Sequence, residues 1–228
     1  MVPKRMWYVA TYRPAALFSL KDSQATNMAA RTLIAPSPYA IKMAMLDKII
    51  TFYSLEMARE SFGRLKEMQV RYNLCPSLVI NNCFVKILKE PKEKKEGKAF
   101  QQSVCFREYA YFGGDMQIAV ELKDNDEKQW LDSVMCRIGY FGKRGCFFQY
   151  LSSEIRQELE SGYSCCFDAG VQTAGILVPM DDFGPQSTFD KVSNFSNDKT
   201  DRKKRIYLFP FVQRRSTKAF SLLEKIHG

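Results

Sequence analysis

At 228 residues with 46% hydrophobic side chains, the chain is long enough to bury a core of its own, as one domain or two small ones. Lys and Arg total 34 against 25 acidic residues, a formal charge of +9, which favours an anionic partner such as nucleic acid over a neutral metabolite. No run approaches the about eighteen apolar residues of a spanning helix. The opening MVPKRMWYVATYR lacks the apolar block and cleavage site of a secretory leader, so the chain is expected in the cytoplasm with no membrane partner.

Trp7 to Phe18 is aromatic and β-branched with partial alternation, which predicts a first strand, interrupted or bulged near Pro14. The polar segment KDSQATNMAART follows and carries Gln24, Asn27 and Arg31 toward the edge of the sheet. Pro36 and Pro38 then hold the backbone extended up to Ser37, which is placed to cap the next helix, with Pro38 at the first helical position, where a missing N–H costs nothing. In that helix Ile41, Met43, Ala44, Met45, Leu46, Ile49 and Ile50 leave Lys42, Asp47 and Lys48 as a polar stripe, so most of its surface is expected to be buried. A second, amphipathic helix is predicted from Leu55 to Met68, with Met57, Phe62 and Leu65 on its apolar side.

Leu78–Leu88 and Phe100–Tyr111 are rich in Val, Ile, Phe and Tyr and flank KEPKEKKEGK, whose proline, glycine and dense charge forbid a buried strand. The pattern predicts a protruding hairpin with Lys92, Lys94, Lys95 and Lys98 at its tip. Those lysines read equally well as a solvated turn that keeps a strand edge from aggregating. Met116–Leu122 reads as a strand, and Asp126–Cys136 as a short helix with Trp130, Leu131 and Val134 on one side. In IGYFGKRGCFFQYL, Gly139, Gly142 and Gly145 permit positive φ, so that neighbouring N–H groups face an anion beside Lys143 and Arg144; the plain alternative is a tight turn with two solvated cations. Beyond Arg156, Gly175–Pro179 and Tyr207–Val212 read as short strands, VSNFSNDKTDRKKR is polar and basic at its end, and Ser221–Ile226 is expected to form a short helix. No repeat period is found.

Much catalytic chemistry lacks its residues. Seven cysteines occur with no C-x-x-C pair, and most sit in apolar segments, so they read as reduced core thiols. The single histidine, His227, completes neither a zinc cluster nor a nucleophile–base pair, so no metal or other cofactor is expected. No G-x-x-x-x-G-K-[ST] or G-x-G-x-x-G occurs. Adjacent Asp181 and Asp182 read as an exposed acidic turn near Gly184 and Pro185.

The order of signals resembles one family. The aromatic first strand, the loop ending R-T-L-I-A-P-S-P-Y-A, the buried helix, the paired-strand insertion with F-R-E-Y (Phe106 to Tyr109) and the loop Y-F-G-K-R-G look like the small RAMP-type subunit of type I CRISPR Cascade complexes, the Cas family numbered five. The resemblance covers roughly Met6 to Leu151. It implies an α+β, ferredoxin-like (RRM-related) fold: an antiparallel sheet with helices on one face and a protruding β-hairpin thumb. On that reading residues 1–155 form the RAMP domain, with the hairpin inserted at about 78–111, and residues 156–228 complete or flank it.

The resemblance further implies a non-catalytic binding job: capping the 5′ handle of the guide RNA and contacting the backbone and large subunits, with target DNA met through the complex. Arg31, Lys143 and Arg144 are then phosphate contacts, Gln24 and Asn27 read a base edge, and Arg107 with Tyr109 clamps or stacks; Tyr109 reads equally as a plain strand residue. The tip lysines contact RNA or a neighbouring subunit. Some family members cut precursor RNA with a tyrosine, a lysine and a histidine, and the absence of an internal histidine here argues against that endoribonuclease alternative. A general RRM-like RNA binder outside CRISPR would carry a glycine-aromatic-glycine-phenylalanine strand, which CFREYAY does not supply.

Overall fold

Ser37 ends the Pro36–Pro38 segment as its sequence predicts: its extended backbone (φ −63°, ψ 154°) leads into the helix and its Oγ accepts from the Ala40 N–H at 3.2 Å. The computed structural model describes residues 6–21, 31–90, 100–124, 126–167, 174–192 and 200–226. In chain order the elements are β1 (Met6–Pro14), α1 (Pro38–Phe52), α2 (Leu55–Glu67), β2 (Val70–Asn73), β3 (Ser77–Lys89), β4 (Gln101–Phe112), β5 (Met116–Leu122), α3 (Glu127–Met135), β6 (Phe148–Arg156), β7 (Cys165–Cys166), β8 (Ile176–Phe183), β9 (Arg202–Phe209), β10 (Phe211–Ser216) and β11 (Phe220–Lys225). This is an α+β chain.

The first sheet has the order β2-β5-β1-β6, with every pair antiparallel. Alternation along β1 decides its two faces. Tyr8, Ala10 and Tyr12 join the large core with Ile41, Met45 and Ile49 of α1, Phe62 and Leu65 of α2, and Leu131 and Val134 of α3; Trp7 and Val9 point the other way and pack with Ala119 and Tyr163. The irregularity foreseen near Pro14 is a register shift between Thr11 and Tyr12 against β6. Each fully buried aliphatic side chain of α1 contributes roughly 1.5–3 kcal/mol to this layer.

β3 and β4 pair without a break from Leu78↔Phe112 to Lys89↔Gln101, so the arm is one continuous antiparallel ladder. Its tip, including Lys92, Lys94, Lys95 and Lys98, lies outside the described residues. The arm is not isolated: β11 pairs with β3 and β10 with β11, giving a second sheet of order β10-β11-β3-β4. A third sheet, β7-β9-β8, brings β8 against α1.

Several expectations need correcting. Ser221–Ile226 is not helical, because Phe220–Lys225 finds hydrogen-bonding edges on both sides, and such pairing overrides local propensity. Asp181 and Asp182 are in β8 rather than in an exposed turn, and Asp182 is 1% exposed. Lys42 is no part of a solvated stripe; it is fully buried against Asp182. On α2, Ala58 rather than Met57 faces the core, and Met57 is exposed. Tyr207–Val212 spans two strands that meet at Pro210, which supplies no N–H to continue the ladder. Of the described cysteines, Cys75 and Cys146 are buried, Cys83, Cys165 and Cys166 are half-buried, and Cys136 is exposed; all six are free thiols.

Candidate nucleic-acid interface

The N-terminal turn of α1 opens into a cleft of about 610 Å³. Ser37, Tyr39 and Ala40 form one wall, and the same helix adds Met43, Ala44, Asp47 and Lys48. Lys21 comes from the segment after β1, Tyr140, Gly142 and Lys143 from the loop before β6, and Asp181, Arg202 and Lys204 from the β8–β9 pair. Four separate stretches of chain therefore meet at one helix start, where the peptide dipoles already favour negative charge.

The charges in the cleft are unequal. Lys21, Lys48, Lys143, Arg202 and Lys204 face two carboxylates, Asp47 and Asp181. Asp47 is 2.8 Å from Lys48, and Asp181 is 3.1 Å from Lys204 and 3.7 Å from Arg202, so both acids are already engaged by cations of the same wall. The two-residue period of β9 places Arg202 and Lys204 on the cleft side, while Arg205 turns the other way to reach Asp182 at 2.9 Å. Two rings complete the lining: the Arg202 guanidinium sits 4.0 Å from the centre of Tyr39, and Lys48 Nζ lies 6.0 Å from that of Tyr140.

The glycine loop is a tight turn. Gly142 (φ 77°) and Gly145 (φ 106°) are left-handed as foreseen, whereas Gly139 is not. A Cβ on Gly142 would stand 2.7 Å from Leu20 Cδ1, a side-chain end that can shift, so the positive φ is what makes a substitution strained here. The expected ring of anion-facing N–H groups is partly spent inside the turn: Phe141 N–H donates to the Cys146 carbonyl and Cys146 N–H to that of Lys143. What the turn displays is side chains, Lys143 into the cleft and Arg144 exposed beside it.

The other sequence-predicted residues are spread more widely. Arg31 is exposed next to Thr32, whose N–H donates to Glu108 Oε2 at 2.9 Å and which bridges to Lys21. It thus stands between the cleft and the base of the arm. Arg107 and Tyr109 share one face of β4, opposite Cys83 and Asn81 of β3, away from the buried Ala110 and Phe112. Gln24 and Asn27 lie outside the described residues. Lys21, Tyr39, Lys48, Tyr140, Arg202 and Lys204 were missed as site residues. The basic run DRKKR was the visible signal for two of them, but nothing local says which of its cations face the glycine loop.

Among the described residues no group of His, Cys, Asp or Glu side chains could hold a metal ion. No helix there is long and apolar enough to cross a membrane. A cleft with excess cations, aromatic walls and a helix start suits a phosphate chain with splayed bases.

No protein-family model matches the chain. Its sequence is 23% identical over 207 aligned residues to the CRISPR-associated protein Cas5 of Archaeoglobus fulgidus, spanning 83% of this chain and 85% of that protein. The chain is similar in sequence to this Cas5 protein.

Two solved structures share the fold of this chain. One is a crystal structure of a CRISPR protein from Archaeoglobus fulgidus, with a TM-score of 0.55 at 11% identity, covering 97% of this chain and 92% of that one. The other is in the cryo-EM structure of the Type III-B Cmr-beta bound to cognate target RNA, with a TM-score of 0.52 at 14% identity. That match covers 67% of this chain, which spans 61% of the Cmr-beta chain's length. The 97% coverage takes the structural likeness into the strands after Arg156, beyond the motifs that end at Leu151.

Proposed function

We propose that this chain is a non-catalytic subunit of a CRISPR effector complex that seats the 5′ handle of the guide RNA in the cleft at the start of α1. The observation that carries the reading is the convergence of Lys21, Lys48, Lys143, Arg202 and Lys204 with Tyr39 and Tyr140 around one helix start in a chain similar in sequence to Cas5. Cations neutralise phosphates, rings accept bases, and target sequence is left to base pairing by the guide.

The fold proposed is ferredoxin-like. The order β2-β5-β1-β6, with helices between β1 and β2 and between β5 and β6, supports it, and the arm of β3 and β4 fills the place of the turn between β2 and β5. The arm is proposed as the thumb that reaches the Cascade backbone subunits, with the large subunit and target DNA meeting the protein in the assembled complex.

The test is co-expression with the neighbouring genes. The protein is expected to purify with a short RNA of fixed 5′ end, cross-linked at Lys143 or Tyr39. Isolation without RNA, or with RNA of random ends, would count against handle binding. Precursor CRISPR RNA incubated with the protein, with and without magnesium, is expected to stay intact; specific cleavage lost on changing one Tyr or Lys would favour the endoribonuclease reading.

A further inference from the structure

β11 does more than close an edge, because its pairing with β3 extends the outward face of the arm sheet. Opposed residues of an antiparallel ladder share a face. The registers Tyr111↔Val79↔Leu222 and Tyr109↔Asn81↔Phe220 therefore run across three strands, and Arg215 of β10 lies opposite Leu222 at the next. The inward face is the one that carries Leu78, Ala110, Phe112 and Leu223 into the core. Outward, Tyr111 is 57% exposed, Tyr109 and Phe220 are half-buried, and Arg107 and Arg215 are exposed.

We propose that this outward face of the β10-β11-β3-β4 sheet is a second binding surface, for single-stranded RNA, with Tyr109, Tyr111 and Phe220 as stacking platforms and Arg107 and Arg215 as phosphate contacts. Charge and chemistry choose the occupant. Glu224, the carboxylate on this face among the described residues, is held by Arg214 at 3.0 Å, so the net field is positive. The Arg215 guanidinium rests 5.6 Å from the centre of the Phe220 ring, which leaves a cation beside a ring as a nucleotide requires. Rings in neighbouring registers of an open sheet present π faces to successive bases, and the Asn81 amide between two of them is placed to meet a ribose or base edge. This surface is separate from the cleft and gives the strands after Arg156 a part in binding. It rests on the reading of the protein as an RNA binder, but on none of the cleft's residues.

The full chain would be titrated with short and long 5′-labelled oligouridines, with zero-length ultraviolet cross-linking of the complexes. Tyr111→Ala with Arg215→Ala is expected to weaken the long oligomer by roughly tenfold and to lower its log-log salt slope by about 0.7. Tyr111→Trp, which keeps a ring, is expected to bind like the parent and serves as the folding control. Cross-links are expected at Tyr109, Tyr111 or Phe220. Unchanged affinity with no cross-link on this face overturns the proposal, and equal binding of oligothymidine overturns the choice of RNA. Loss of binding in Lys21→Ala/Lys143→Ala alone would leave the cleft standing and this surface refuted; loss in the sheet variants alone would do the reverse.

Discussion

Lys42 Nζ lies 2.6 Å from Asp182 Oδ1 with neither side chain open to solvent, which ties the second turn of α1 to the far end of β8. Burial pushes the Lys42 ammonium below its usual range, and the Asp182 charge opposes that shift. The ammonium also donates to the Lys66 carbonyl at 3.0 Å, while Asp182 accepts from the Phe183 N–H and meets Arg205. The pair thus fixes α1, α2 and the third sheet against each other.

Lys42→Met is expected to destabilise by less than the about 3–5 kcal/mol of a fully unpaired buried charge, because Arg205 and the Phe183 N–H still hold Asp182. Denaturant unfolding would measure it. A loss below about 1 kcal/mol would mean that Asp182 relaxes toward Arg205 without penalty.

The cleft predicts a graded salt response. Single Lys21→Ala, Lys143→Ala and Lys204→Ala variants are each expected to reduce the log-log salt slope of handle RNA binding by about 0.7. Arg144→Ala, whose residue is exposed but not part of the cleft lining, is expected to do less. Equal effects at Lys143 and Arg144 would shift the interface to the tip of the turn.

Gly142→Ala tests the turn that presents Lys143. With φ at 77°, a side chain here strains the turn, and the Leu20 side chain must also shift. RNA affinity is expected to fall together with melting temperature, because Phe141 and Cys146 anchor this turn in the core. A well-folded variant with normal affinity would show that Lys143 does not depend on this turn.

Tyr72→Phe is expected to be neutral or to stabilise by up to about 1 kcal/mol. The Tyr72 hydroxyl is fully buried and finds no hydrogen-bond partner among the described residues, so removing it deletes an unmet desolvation cost. Destabilisation of more than about 1 kcal/mol would reveal a partner for that oxygen.

Glu127 predicts a pH dependence. Burial raises its carboxyl, but the Arg64 guanidinium at 2.6 Å and the Lys123 N–H outweigh this and hold it below its ordinary value of 4.5. A carboxylate depressed in the folded state stabilises above its unfolded pKa and loses that contribution as pH falls through the folded one. The stability difference between the parent and Glu127→Gln should therefore shrink on acidification below pH 4.5. A constant gap across that range would assign the effect of the substitution to packing.

Where local chemistry decides, the sequence was readable. The Ser37 cap, the 116–122 strand and the arm's two strands follow from proline placement, alternation and turn composition, and the structure has them within a residue or so. Lys42 was misread because a lysine in line with Asp47 and Lys48 looks solvated until a carboxylate some 140 residues away is folded onto it. Phe220–Lys225 was misread because its apolar spacing fits a helix or a strand, and only the open edges of β3 and β10 choose between them. Site residues followed the same division: Lys143 was visible from its glycines, whereas Lys21 and Arg202 belong to the cleft only through tertiary convergence.

The pairing of β11 with β3 also orders events in time. During synthesis β3 can zip to β4 at once, but Ser77–Asn81 on its other edge must wait for Phe220–Glu224, about 140 residues later, roughly ten to thirty seconds at ordinary elongation rates. Throughout that interval a long, Val- and Ile-rich strand offers an unmet edge to any neighbouring nascent chain. A ribosome pausing before residue 220 would therefore leave the arm competent to pair with the wrong molecule.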